Sequence, residues 1–187
     1  MRPLQSQLFK TAHDDRRTMV EFQQRQEARI RKHFEELNAE GPGHVILIAC
    51  SGSKLDHPAP AKELYTGELF KKSKSYAEQT GFPYYILSAC HGLVDPNQEI
   101  APYNFTLKKQ RQREREAWAT RVASSIVWKV PATSTIIILA GNDYAEPLAS
   151  ILTRKGFTTL RPLQGLGIGQ QQQKLIALIQ QATSKKK

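Results

Sequence analysis

Hydrophobic residues in this chain fall in short unbroken runs, separated by longer amphipathic stretches. Residues 45–50 (VILIAC), 84–89 (YYILSA) and 136–140 (IIILA) are the clearest runs. Continuous apolar runs of this length, rich in β-branched residues, predict strands buried on both faces, as in a parallel sheet. Residues 157–160 predict a fourth, shorter strand. Helices are expected over residues 61–79, 108–128, 145–155 and 170–183. In the first of these Leu64, Leu69, Tyr76 and Ala77 face inward and Lys71, Lys72 and Lys74 outward. Gly81 ends it and Pro131 stops the second. Four rounds of strand and helix predict a single three-layer α/β domain with a mostly parallel sheet of about four strands. Right-handed crossovers place helices on both faces.

Residues 14–40 read differently. Long charged side chains dominate, and Met19, Phe22, Ile30, Phe34 and Leu37 form one narrow stripe at helical spacing. This predicts an N-terminal helical arm over residues 1–40, with Asp14 as a candidate cap. Gly41-Pro42-Gly43 separates it from an α/β domain over residues 41–183, and residues 184–187 form a basic tail. The stripe suits packing on the domain or against a second copy, so a homodimer through the arm is one expectation.

In parallel sheets ligands bind just beyond the carboxyl ends of the strands. The first strand opens there on Cys50, Ser51, Gly52, Ser53 and Lys54. A thiol beside a lysine suits a nucleophile whose pKa is lowered, although a free cysteine at a strand end is also a common small core residue. The two serines and Gly52 suit a phosphate, although no Walker A pattern is present. The second strand opens on His91, with Asp95 four residues later; histidine can move protons near neutral pH, and it equally fits a packing or capping role. Tyr103, between Pro102 and Asn104, suits stacking on a base or plugging the loop into the core. After the third strand, Asn142, Asp143 and Tyr144 offer a base reader, a general base or sugar ligand, and a substrate contact. Capping by Asn142 or Asp143 is the plainer alternative. Gly165–Gly169 (GLGIG) opens the last helix, where Gly167 and Gly169 would let a phosphate approach backbone N–H groups. Catalytic candidates are therefore Cys50, Lys54, His91 and Asp143. Substrate-binding candidates are Ser51, Gly52, Ser53, Tyr103, Asn142, Tyr144, Gly167 and Gly169.

Charge adds a partner. The net charge is +10, and residues 1–40 carry 8 basic and 7 acidic side chains, so the excess belongs to the domain. It clusters near Lys71–Lys74, Lys108–Arg115, Arg154–Arg161 and Lys185–Lys187. Such clusters suit a polyanion. Lys71, Lys72, Lys74, Lys108, Lys109, Arg111, Arg113 and Arg115 are the nucleic-acid-binding candidates. No apolar run approaches the ~20 residues that span a bilayer, and no continuous apolar stretch opens the chain as a secretory signal would. A cytoplasmic protein with reduced thiols is expected. Cys50 and Cys90 make no disulfide framework, and no ligand spacing joins them to His44, His57 or His91, so neither metal nor cofactor is expected.

The stretches ACSGSK, APAKELYTGELFKK, YYILSACHGLVDPNQEIAPYNFTL, ILAGNDYAEPL and PLQGLGIGQ, in that order over roughly residues 44–180, resemble a family of small uncharacterised bacterial and phage proteins. The run LYTGELF, then LSACHGLVDP, then PY is similar to the order found in bacterial peroxide-stress DNA-binding proteins. A fainter likeness is to the core domain of archaeosine synthase, a tRNA-modifying enzyme with a cysteine–lysine loop. With the resemblance, Tyr65 of LYTGELF and Gly92 of LSACHGL join the substrate-binding candidates. The resemblance implies a nucleic-acid context and base or nucleotide chemistry. Residues 1–40 lie outside it. The resulting expectation is a nucleic-acid-associated protein with a nucleotide- or base-binding pocket, an enzyme on a nucleotide or base. The alternative is a non-catalytic DNA- or RNA-binding protein in stress response or phage defence.

Overall fold

The computed structural model describes residues 18–29, 32 and 43–184. The chain forms two units, residues 1–40 and residues 41–187. In the first, residues 18–29 form helix α1, on which Met19 and Phe22 are exposed. Asp14, Ile30, Phe34, Leu37 and the lysine tail at 185–187 lie outside the described residues.

In the second unit the apolar runs become a five-stranded sheet of order β4-β3-β1-β6-β7. Its strands are β1 (His44–Ala49), β3 (Tyr84–Ser88), β4 (Gly92–Val94), β6 (Thr135–Leu139) and β7 (Thr158–Leu160). β1 lies parallel to both β3 and β6, with Ile46 opposite Tyr84 on one side and Ile137 on the other. β7 extends the parallel set at one edge.

Side chains alternate between the two faces of a strand, and both faces are apolar here. Leu47, Leu87, Ile136 and Ile138 pack against Trp118, Val122 and Leu148. Ile46, Ile48, Ile86 and Ile137 pack on the other side against Phe70, Ala77 and Leu175. The first set meets helices α4 (Gln112–Lys129) and α5 (Asn142–Arg154), which lie together. The second meets α3 (Glu68–Thr80) and α6 (Ile168–Ser184), which also lie together. The result is the three-layer α/β sandwich that strand and helix alternation predicts.

Several boundaries differ from the sequence expectation, each for a local reason. The sheet gains a fifth strand because Gly92, at φ 73°, turns the chain back and lets β4 pair antiparallel with β3. That left-handed conformation suits glycine. Beyond β4, the short strand β5 (Glu99–Ile100) pairs antiparallel with β2 (Ala59–Pro60). The helix expected over 61–79 is broken into α2 (Ala61–Leu64) and α3, because Tyr65 turns to the extended conformation and pairs with Lys54. Residues 107–109 form a separate 3-10 turn, and α4 begins at Gln112 behind a capping box in which the Glu114 carboxylate accepts from the Arg111 N–H. Helices α5 and α6 start earlier than expected, at Asn142 and Ile168, so Asn142–Tyr144 and Gly169 belong to first turns rather than loops.

Candidate active site

β1 and β6 are neighbours in the sheet, but their exits diverge. The chain leaving β1 goes to α3 on one face, and the chain leaving β6 enters α5 on the other. Such a divergence opens a crevice at the carboxyl ends of the strands. A cavity of about 640 Å³ lies there, with Cys50 at the end of β1 and Gly141 at the end of β6. The Gly165–Ile168 segment closes it from the α6 side and Phe105 and Thr106 from the α4 side.

Its floor joins the two cores. The Cys50 thiol and the Tyr144 hydroxyl share a hydrogen bond at 3.4 Å, and the Tyr144 ring stands edge-on to Trp118. Burial, and next the nearby Cys50, push the Tyr144 hydroxyl above its usual range, so it stays neutral.

A second group of polar residues lies beside the cavity and is tied to itself. The Ser51 hydroxyl donates to the Ser53 carbonyl at 2.6 Å and accepts from the Gly67 N–H at 3.2 Å. A Cβ at Gly67 would stand 2.7 Å from the Ser51 Cβ, so the contact requires glycine. The Lys54 ammonium donates to the Gly52 carbonyl and sits 4.4 Å from the centre of the Tyr103 ring. The Tyr103 hydroxyl bonds both Tyr65 and Ser88, at 3.0 and 2.8 Å. Ser88 in turn accepts from the His91 N–H, and the His91 ring meets Tyr103 edge-on. Burial first, then Cys50, holds the Tyr103 hydroxyl well above its ordinary value. This chain of hydroxyls links the LYTGELF, LSACHGL and PY stretches.

Polar groups around the cavity itself are less completely bonded. Ser73 is 1 % exposed, and among the described residues its hydroxyl has no hydrogen-bond partner. Gln171 is also buried; its amide nitrogen donates to the Leu166 carbonyl at 2.8 Å, while its amide oxygen is unmatched among the described residues. Asp143 is ion-paired with Arg115 at 2.8 Å, which leaves a general base already engaged. Arg161 pairs with Glu146 and donates to the Asn142 side-chain oxygen at 3.1 Å, fixing that amide at the rim. The guanidinium's Nε is buried without a partner among the described residues.

Cys50, Ser51, Gly52, Lys108, Asn142, Asp143, Tyr144 and Gly167 therefore line one cavity. Lys54, Tyr65, Tyr103 and His91 form the neighbouring hydroxyl cluster, and the Ser53 carbonyl anchors both Ser51 and the Thr66 N–H. Gly92 serves the β3–β4 turn, and Gly169 lies in the first turn of α6. Of the basic candidates, Lys71 and Lys72 both pair with Glu68 and hold its carboxyl below the usual range. Lys74 donates to the Lys62 carbonyl. Lys109, Arg111 and Arg113 are exposed around the start of α4. The described residues contain no cluster of histidine, cysteine or carboxylate able to hold a metal, and no helix among them is long and apolar enough to cross a membrane. Sequence reasoning missed Ser73, Phe105 and Gln171. Phe105 stands two residues beyond Tyr103 in the same loop, a signal within reach; Ser73 and Gln171 carry none, because each is one polar residue in a polar helix.

Fold and cavity together define an α/β sandwich with a candidate ligand site at its strand-exit edge. The chain belongs to a family of unknown function, DUF6884, whose model matches residues 45–177. Neither a curated protein nor a solved structure matches it.

Proposed function

We propose that this is a nucleic-acid-associated protein that holds a nucleotide or nucleic-acid base in the cavity between the ends of β1 and β6, as an enzyme acting on that ligand. The observation that carries the reading is the cavity's place: it opens where adjacent parallel strands send their chains to opposite faces. Its walls suit a flat ring with polar edges, since Leu69, Phe70 and Phe105 are apolar while Asn142 and Tyr144 are polar. Cys50 and Tyr144 supply the reactive floor, a thiol within hydrogen-bond reach of a neutral phenol. Titration calorimetry with nucleosides, nucleotides and free bases tests the reading. Binding that Cys50→Ala leaves intact while product formation stops supports an enzyme; absence of binding by every ligand removes the proposal.

A second reading is a DNA- or RNA-binding protein without chemistry, in stress response or phage defence. It draws on the exposed Lys109, Arg111 and Arg113, which adjoin Lys108 at the cavity mouth. That reading expects affinity for an oligonucleotide to fall steeply with salt. Reversal of these charges should then abolish binding without touching small-ligand affinity.

A further inference from the structure

We infer that the cavity's ligand is a nucleoside monophosphate, with its phosphate seated on the N-terminus of α6 opposite Lys108. This inference rests on the proposed nucleotide or base site and adds where its anion sits.

Three helices, α3, α5 and α6, begin at the cavity, and each follows a glycine: Gly67, Gly141 and Gly167. Glycine has no side chain to cap the first N–H groups. α3 and α5 carry their own acids in the first turn, Glu68 and Asp143, which complement the positive end of the helix. α6 carries none. Its Gly167 N–H is taken by the Gln170 side chain, but Ile168 and Gly169 have no side-chain acceptor among the described residues. A Cβ at Gly165 or Gly169 would meet nothing within 4 Å, so open space adjoins the backbone there. Lys108 lines the same cavity, and its ammonium has no partner among the described residues.

The independent sign of a ligand is the pair of unmatched polar groups inside. Ser73 on α3 and Gln171 on α6 line the cavity at 1 % and 9 % exposure. Neither atom is sealed away, since Arg161 Nε is the one fully buried side-chain nitrogen or oxygen without a partner among the described residues. The Ser73 hydroxyl and the Gln171 amide oxygen instead face the cavity's own space, open to whatever enters it. Gln171 lies about one helical turn, ~5 Å, below the first residues of α6. A group that places an anion on Ile168 and Gly169 therefore also presents hydroxyl or amine donors one turn deeper, as a sugar phosphate does. Phe105 and Ile168 are 43 % and 66 % exposed at the mouth, and they come from opposite layers of the sandwich. They offer apolar surface to a base above the sugar.

Titration calorimetry on the full chain tests this with the four ribonucleoside monophosphates, the matching nucleosides, ribose 5-phosphate and inorganic phosphate. At least one nucleotide should bind about tenfold or more tightly than its nucleoside, the scale of one charge-assisted contact. Gly169→Asp puts a carboxylate at the phosphate seat, in open space and at a helix end that favours acid. It should bring nucleotide affinity down to the nucleoside level while the Tm holds or rises. Lys108→Gln should act in the same direction, and Ser73→Ala should weaken nucleotide and nucleoside alike. Equal affinity for nucleoside and nucleotide, or wild-type nucleotide affinity in Gly169→Asp, would overturn the phosphate seat and leave the base pocket standing. Ribose 5-phosphate binding as tightly as any nucleotide would overturn the nucleotide assignment. No binding by nucleoside or nucleotide would remove the underlying site reading.

Discussion

The hydroxyl cluster and the cavity share the Cys50–Lys54 loop but treat polar groups in opposite ways. In the cluster, the Tyr103 hydroxyl, the Ser88 hydroxyl and the Ser51 hydroxyl each have more than one partner within the fold. Across the loop, Ser73 and the Gln171 amide oxygen have none among the described residues. A satisfied network rigidifies, whereas a group that faces a cavity unbonded keeps its hydrogen-bonding capacity open. Lys54, Tyr103 and His91, which look chemical in the sequence, here contact one another: the Lys54 ammonium and the His91 ring both meet the Tyr103 ring. The contrast separates residues that look reactive in the sequence from residues that face the cavity with bonding capacity left over.

The largest test of that contrast strikes the wall both regions share. Trp118 donates to the Ser88 carbonyl at 2.9 Å and supports Tyr144. Trp118→Ala should lower unfolding free energy by about 3–5 kcal/mol in denaturant titrations and abolish ligand binding as well. Gly67→Ala comes next, because its Cβ collides with Ser51. A loss of about 1–3 kcal/mol is expected, the range for overpacking. A smaller loss, about 1 kcal/mol, is expected for Tyr103→Phe, which removes the hydroxyl but keeps the ring. Ligand affinity should be unchanged in that variant; a large drop would move Tyr103 from scaffold to site. Phe105→Ala should reverse the pattern. Stability should stay within about 0.5 kcal/mol, as for a surface residue, while affinity for a base-containing ligand falls by about 1–3 kcal/mol.

Alkaline pH probes a tyrosine outside both regions. Burial, and next Glu78, raise the Tyr84 hydroxyl from 10 to about 12. A raised acid favours its neutral form in the folded state, so its contribution to stability is complete below pH 10 and fades between pH 10 and 12. Ultraviolet titration of the tyrosines, folded against unfolded, should show ionisation delayed in the folded protein. Coincident curves would refute it.

Much of the fold was legible because its signal is local. The runs at 45–50, 84–89 and 136–140 carry their own burial pattern, and each became a strand with both faces covered. The Gly-rich segment at 165–169 was legible as a helix entrance. Other features were not. β4 rests on three residues whose pairing depends on the turn at Gly92. Tyr65 leaves the helix because Lys54, eleven positions earlier, takes it into a bridge. Asp143 reads as a base until Arg115, twenty-eight positions earlier, is seen paired with it.

The sequence by itself determined that Cys50 and Asn142 follow buried strands of a parallel sheet and so share its carboxyl edge, whereas Gly167 joins them only because β7 pairs parallel with β6. Only tertiary structure decided which polar groups remain open there. Contacts between residues distant in sequence tie Ser51 to the Gly67 N–H, place Lys54 over the Tyr103 ring and bond Tyr103 to Tyr65. The same packing leaves Ser73 and Gln171, unremarkable in the chain, facing the cavity. Whether a donor or acceptor is free depends on every neighbour the fold brings to it, and periodicity carries no record of that.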